Sequence, residues 1–190
     1  MTCNGIDTQQ LAALGELVTS NPDVAAVSAC VRTHWEGGYT SRTSTEELTF
    51  GDDQIPRGAT LPADLPEALG GDDLGPAPGE VLLAALCACV TQAFVEGAAI
   101  TGTQIERLEI SARGHLDLRG NAGVAGVRPG LSKIHLDVEV EADTDEAVLD
   151  ELLSEALRRS PVADSLTAGV AIDASVRQPV PASPRMMEGE

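Results

Sequence analysis

The stretch Gly75–Gly97 reads GPAPGEVLLAALCACVTQAFVEG, and its reading decides the fold. Gly75, Pro76, Pro78 and Gly79 punctuate a turn and allow a helix to start just after Pro78. From Val81 to Val95 only Thr91 and Gln92 interrupt the apolar run. A helix that is apolar on every face has to be buried on all sides or span a membrane. The short run, Gln92, Glu96 and the lack of flanking Lys or Arg argue against a span. The stretch therefore predicts a central helix wrapped by the rest of the protein, with Cys87 and Cys89 in its middle.

Composition bounds what the surrounding chain can be. Its 190 residues, 43% of them hydrophobic, suffice for one domain with a proper core. That core is aliphatic, because Trp35, Tyr39, Phe50 and Phe94 are the only aromatic residues. A net charge of −18 argues against nucleic acid, which needs basic grooves and stacking platforms, and against anionic membrane surfaces. The four cysteines, Cys3, Cys30, Cys87 and Cys89, follow neither a disulfide framework nor a zinc spacing. With no basic and apolar leader in Met1–Leu17, the expected compartment is the reducing cytoplasm.

Outward from the central helix, the pattern alternates between strands and helices. Asp7–Thr19 places Leu11, Leu14, Leu17 and Val18 at helical spacing, with Asp7 or Thr8 as N-cap and Asn21-Pro22 as stop. Residues 1–23 thus form a helical extension to a main domain at 24–178. Val24–Trp35 and Tyr39–Phe50 read as a hairpin around Glu36-Gly37-Gly38, and Gly51–Pro78 as an irregular connection with room for a short strand.

Beyond the central helix, Ile105–Leu118 and Leu131–Ala142 alternate with the period of half-buried strands, joined by a glycine-rich loop. That loop, Arg119–Gly130, lacks the following helix that a dinucleotide cradle needs. Asp143–Arg159 predicts an amphipathic helix with capping-box spacing between Asp143 and Glu146. A short turn after Pro161, a last strand at Val170–Val176 and a disordered tail at 179–190 complete an α+β chain with antiparallel meanders.

The central cysteines are the candidates for chemistry. Two positions apart on a helix, Cys87 and Cys89 point roughly 200° away from each other. They can neither form a disulfide nor chelate one metal while the helix persists, and no cofactor is implied. Cys89 shares a face with Leu82, Leu86 and Ala93, and Cys87 with Leu83 and Phe94. A buried cysteine is either an inert small hydrophobe or, as thiolate, a nucleophile. Cys89 lies too deep for the helix dipole to activate it unaided. A cation has to come from another segment, and Arg42 on the polar second strand is the best placed by sequence order. Arg42 reads equally as a solvated arginine. Cys3 and Cys30 are expected to stay outside any redox cycle, Cys3 in a tail and Cys30 half-buried in the first strand.

The run Pro78–Cys89 resembles the central-helix motif of the OsmC/Ohr family: a proline, acidic residues, a leucine–alanine run, then Ala-Cys. His34-Trp35-Glu36-Gly37, Leu131–Val140 and Arg159-Ser160-Pro161-Val162 through Val176 resemble three further family segments in the same order. The resemblance implies an OsmC-like fold, in which antiparallel sheets wrap the central helices of an intertwined homodimer. It also implies reduction of organic hydroperoxides by a cysteine, here Cys89. An arginine, here Arg42, would stabilise the thiolate, and a glutamate, here Glu80, would hold that arginine.

Two positions depart from the family's peroxidase pattern. Ser160 stands where the resolving cysteine would be, and Gly79 where the glutamate directly follows the proline. Three readings follow: a single-cysteine thiol peroxidase recycled by an external thiol, a non-catalytic protein that binds an apolar or electrophilic small molecule in the dimer cleft, or a purely structural or interaction protein.

Overall fold

The structure is a computed structural model that describes residues 2–177. The expected tail at 179–190 lies outside the described residues. A hairpin of β1 (Thr2–Cys3) and β2 (Ile6–Asp7) opens the chain, turning through Asn4 and Gly5, both at positive φ. Helix α1 (Thr8–Ser20) follows, with Asp7 as its N-cap: the carboxylate accepts from the Gln9 and Gln10 N–H groups at 2.9 and 3.4 Å. This satisfies donors that every helix start leaves open.

Next comes an antiparallel sheet. Strands β3 (Val27–Gly37) and β4 (Thr40–Phe50) pair along their length, with a register shift at Cys30/Val31. The connection after β4 holds more structure than one short strand. Both β5 (Asp53–Pro56) and β6 (Thr60–Ala63) pair with β4, against Glu47–Phe50 and Ser41–Ser44 respectively, and a 3₁₀ turn follows at Glu67–Leu69. The loop from 64 to 77 is gathered around one carboxylate. Asp64, only 1% exposed, accepts from the N–H groups of Leu65, Asp72 and Leu74 at 2.7, 3.2 and 3.2 Å. It also accepts from the Thr40 hydroxyl at 3.3 Å, which ties the loop to β4.

Helix α2 (Pro78–Thr101) starts where the prolines place it, with Pro78 in its first turn, and ends at Gly102 in the left-handed conformation. By length and apolar content alone it would suffice to cross a membrane. One stripe of it, Leu86, Val90, Phe94 and Ala98 at four-residue spacing, is the centre of the core. Strands β7 (Ile105–His115) and β8 (Lys133–Ala142) form a second sheet, joined through a short helix α3 (Leu118–Asn121). Strand β7 stops three residues short of Leu118, because the Asp117 side chain caps α3. The β7–β8 face carrying Leu108, Ile110, Leu136 and Val140 packs on that stripe, as do Leu152 and Ala156 of helix α4 (Glu146–Arg159). The structure moves the α4 cap from Asp143 to Asp145, which makes no side-chain capping hydrogen bond.

Two expectations after α4 are corrected. Pro161 does not lead into a turn: it begins helix α5 (Pro161–Ala168), because the buried Ser160 hydroxyl accepts from the Ala163 N–H at 3.2 Å. Pro at a first helical position and Ser before it are a favourable helix start. The residues expected as a last strand, Val170–Val176, are unpaired, with Ile172 92% and Val176 97% exposed. Their alternation suits a sheet edge, but among the described residues no strand lies alongside.

Burial of α2 is also one-sided within this chain. Leu82 and Ile100 are exposed, as are Ala84, Ala85 and Ala88. The β3–β4 sheet does not cover them; its face of Val27, Val31 and Trp35 is exposed too, Trp35 by 77%. The accessible area is 14352 Å², against about 8,600 Å² for a compact monomer of this mass.

Candidate functional site

Cys89 is half-buried on the open side of α2. Cys87 points to the other side, and burial pushes its thiol up from the ordinary range. No disulfide links the four cysteines. Among the described residues, no hydrogen bond or ion pair joins Cys89 to Arg42 or Glu80.

Each of those two residues has another partner. Arg42 grips the Glu36 carboxylate, with Nε to Oε1 at 2.8 Å and Nη2 to Oε2 at 3.3 Å. It lies across from His34, on the sheet face opposite Trp35. Glu80 accepts from the Ala77 N–H at 2.7 Å and so caps the start of α2. Nine positions separate Glu80 from Cys89, which places them about 180° apart around the helix. Glu80 shares its face with Cys87 instead.

Ser160 is fully buried at the joint between α4 and α5. Its hydroxyl serves as the cap described above, so the residue has a structural use of its own. Cys30 is exposed rather than half-buried, and its thiol donates to Glu46 Oε2 at 3.5 Å. That carboxylate, also held by the Nε and Nη2 of Arg32, keeps the Cys30 thiol above its ordinary value. Cys3 is not in a tail: it is buried, donating to the Thr103 carbonyl and accepting from Gln104 Nε2 at 3.3 Å. Sequence reasoning missed Glu36, Asp64 and Asn4 as organising residues. An acid on the neighbouring strand, two residues beyond the His34 that pairs with Arg42, or a loop aspartate, carries no periodic signal.

The family model described as OsmC-like protein matches residues 70–175, more than half of the chain. The chain belongs to the OsmC-like family. Its fold is similar to that of an OsmC-like protein from Mycoplasma pneumoniae, at 19% identity and a TM-score of 0.59, over 75% of this chain and 89% of that one. It is also similar to an OsmC-like protein of unknown function from Vibrio cholerae, at 15% identity and a TM-score of 0.55, over 73% and 92% of the two chains. An organic hydroperoxide resistance protein from Legionella pneumophila has a TM-score of 0.49 at 17% identity, over 74% and 89%. No curated protein matches the sequence. The match begins at residue 70, so the OsmC-like stretch includes α2 with Cys89, while α1 and strands β1 to β6 precede it.

Proposed function

We propose that this OsmC-like protein is a homodimeric thiol peroxidase of the cytoplasm that reduces organic hydroperoxides through Cys89. The observation that carries the reading is the half-buried Cys89 on an otherwise apolar, unpacked side of α2. In an OsmC-like chain that helix holds the reactive cysteine, and an apolar surround suits the organic part of a hydroperoxide.

The chemistry is a two-electron oxidation. The Cys89 thiolate attacks the terminal peroxide oxygen, the O–O bond breaks, and the alcohol leaves after taking one proton. Cys89 becomes a sulfenic acid. Ser160 has no thiol to resolve it, so two equivalents of an external thiol return Cys89 to the thiol, releasing water and a disulfide.

The dimer reading rests on two open surfaces. The exposed side of α2 and the Val27–Trp35 face of the β3–β4 sheet are both apolar, and the chain exposes far more area than its mass requires. The sheet of one copy covering the α2 of another would bury both.

Arg42 would serve the thiolate only by leaving Glu36. Its bidentate pair, together with the capping use of Glu80, favours the second reading, a non-catalytic binder of apolar molecules. The test is cumene hydroperoxide consumption with dithiothreitol, together with trapping of sulfenic acid by dimedone. The peroxidase reading expects turnover and a dimedone adduct at Cys89, both lost in Cys89→Ser, and slower oxidation in Arg42→Ala. A wild-type protein that forms no adduct at Cys89 sinks it and leaves the binder.

A further inference from the structure

A helix fixes which side chains stand beside Cys89. Residues three and four positions away are its neighbours on the cylinder, with Cβ atoms about 5–6 Å apart. In α2 these are Ala85, Leu86, Gln92 and Ala93. Leu86 is buried in the core, and the two alanines offer only methyl groups. Gln92 is the one neighbour able to make a side-chain hydrogen bond.

The placement of Gln92 stands out on its helix. Between Val81 and Ile100 the exposed residues are Leu82, Ala84, Ala85, Ala88, Gln92 and Ile100, so a single amide interrupts an apolar strip. Among the described residues nothing engages that amide. Long helical side chains lean toward the N-terminus and cover the turn before their own Cα. For Gln92 that is the turn carrying Cys89. The cation expected from the sequence, Arg42, is held by Glu36 instead. Strand β7 and helices α4 and α5 pack on the opposite, core side of α2, around Val90 and Phe94. Glu96, the one charged residue of α2 on the Cys89 side, lies seven positions on, about 10 Å along the axis. Once the strip is covered in the proposed dimer, an amide without a hydrogen bond is costly. The Cys89 sulfur, one turn back, can accept one.

We propose that the Gln92 side-chain N–H donates to the Cys89 sulfur and holds it as the thiolate, the part expected of Arg42. A hydrogen bond to the charged form favours that form and opposes the effect of burial. The amide neither gives nor takes a proton, and the thiol proton leaves to water. The proposal deepens the peroxidase reading and rests on it for the use of this thiolate in turnover. The thiolate itself is measurable without peroxide.

The test is iodoacetamide alkylation against pH, with the product located at Cys89 by peptide fragmentation. Gln92 is exposed, so substitutions there spare the core. Gln92→Leu, which keeps the bulk and removes the donor, should move the midpoint up by about one pH unit. Gln92→Lys, which restores a donor, should bring it back to the wild-type value or below. Gln92→Glu, which sets a like charge beside the sulfur, should raise it further than leucine does. An unchanged midpoint in Gln92→Leu overturns the proposal. A lysine variant that behaves like the leucine one also overturns it, because packing rather than a hydrogen bond would then govern the sulfur. The same holds for a wild-type Cys89 that alkylates only above about pH 9.5, well beyond an ordinary thiol. The two readings fail separately. A wild-type protein that forms no dimedone adduct, but whose midpoint depends on Gln92, sinks the peroxidase reading alone. Turnover of cumene hydroperoxide with a midpoint indifferent to Gln92 sinks this proposal alone.

Discussion

At the scale of single residues, Asp64 shows how one carboxylate can hold a loop of irregular sequence. Burial alone would raise its proton affinity, but three backbone N–H groups and the Thr40 hydroxyl outweigh it and hold the carboxyl below its ordinary value. A lowered folded pKa gives a stabilisation fully present above the unfolded value of about 3.9. It is lost as pH falls through the lower folded value. Asp64→Asn keeps the size but replaces one acceptor oxygen with a donor facing N–H groups. It should lower the melting temperature by about 5 °C or more at pH 7, with the gap to wild type narrowing as pH falls below the unfolded value. An unchanged melting temperature at pH 7 would show that the loop holds without it. The same loop makes glycine obligatory at position 71, where a Cβ would lie 1.9 Å from the Leu65 carbonyl oxygen. None of this was legible in the sequence, where Gly51–Pro78 reads only as rich in turn formers.

At the scale of elements, the legible parts are those with a local cause. The N-cap of α1, the start of α2 at Pro78 and the alternation of β8 each follow from residues within a few positions. The α4 cap, helix α5 and the unpaired 170–176 segment are not legible, because their competing signals differ by little or depend on distant partners. The β1–β2 hairpin is the extreme case. Its anchor is Asn4, whose side chain stands in for a strand's backbone against Thr103 and Ile105, about a hundred residues on. Asn4 also holds φ at +52°, a conformation that asparagine tolerates better than most residues. Asn4→Ala removes two hydrogen bonds and adds backbone strain, and should cost about 2 kcal/mol. Amide exchange at Ile105 should accelerate, with little change at Val90 in the core. Equal protection of Ile105 in both proteins would mean that the hairpin is held by Cys3 packing instead.

At the scale of the whole molecule, the sequence requirement that α2 be covered on all sides meets a chain that covers one stripe of it. The homodimer proposed above would reconcile the two. For the candidate site, the sequence singles out Cys89 on its helix, but a neighbour supplied to its sulfur by a second copy would leave no trace in the spacing of one chain. If the partner is a second copy, two bodies each carrying −18 associate against their own repulsion. Salt screens such repulsion over a few ångströms to about ten. Sedimentation should therefore show a dimer at micromolar concentration whose association tightens as sodium chloride rises from 50 to roughly 500 mM. A monomer at every salt concentration would exclude the arrangement. The exposed sheet face also supplies its own optical gauge. Trp35 is the sole tryptophan and lies on that face. Its fluorescence emission should be red-shifted while chains are separate and move to shorter wavelength when the face is covered, so that intrinsic emission alone reports assembly, with no dye attached.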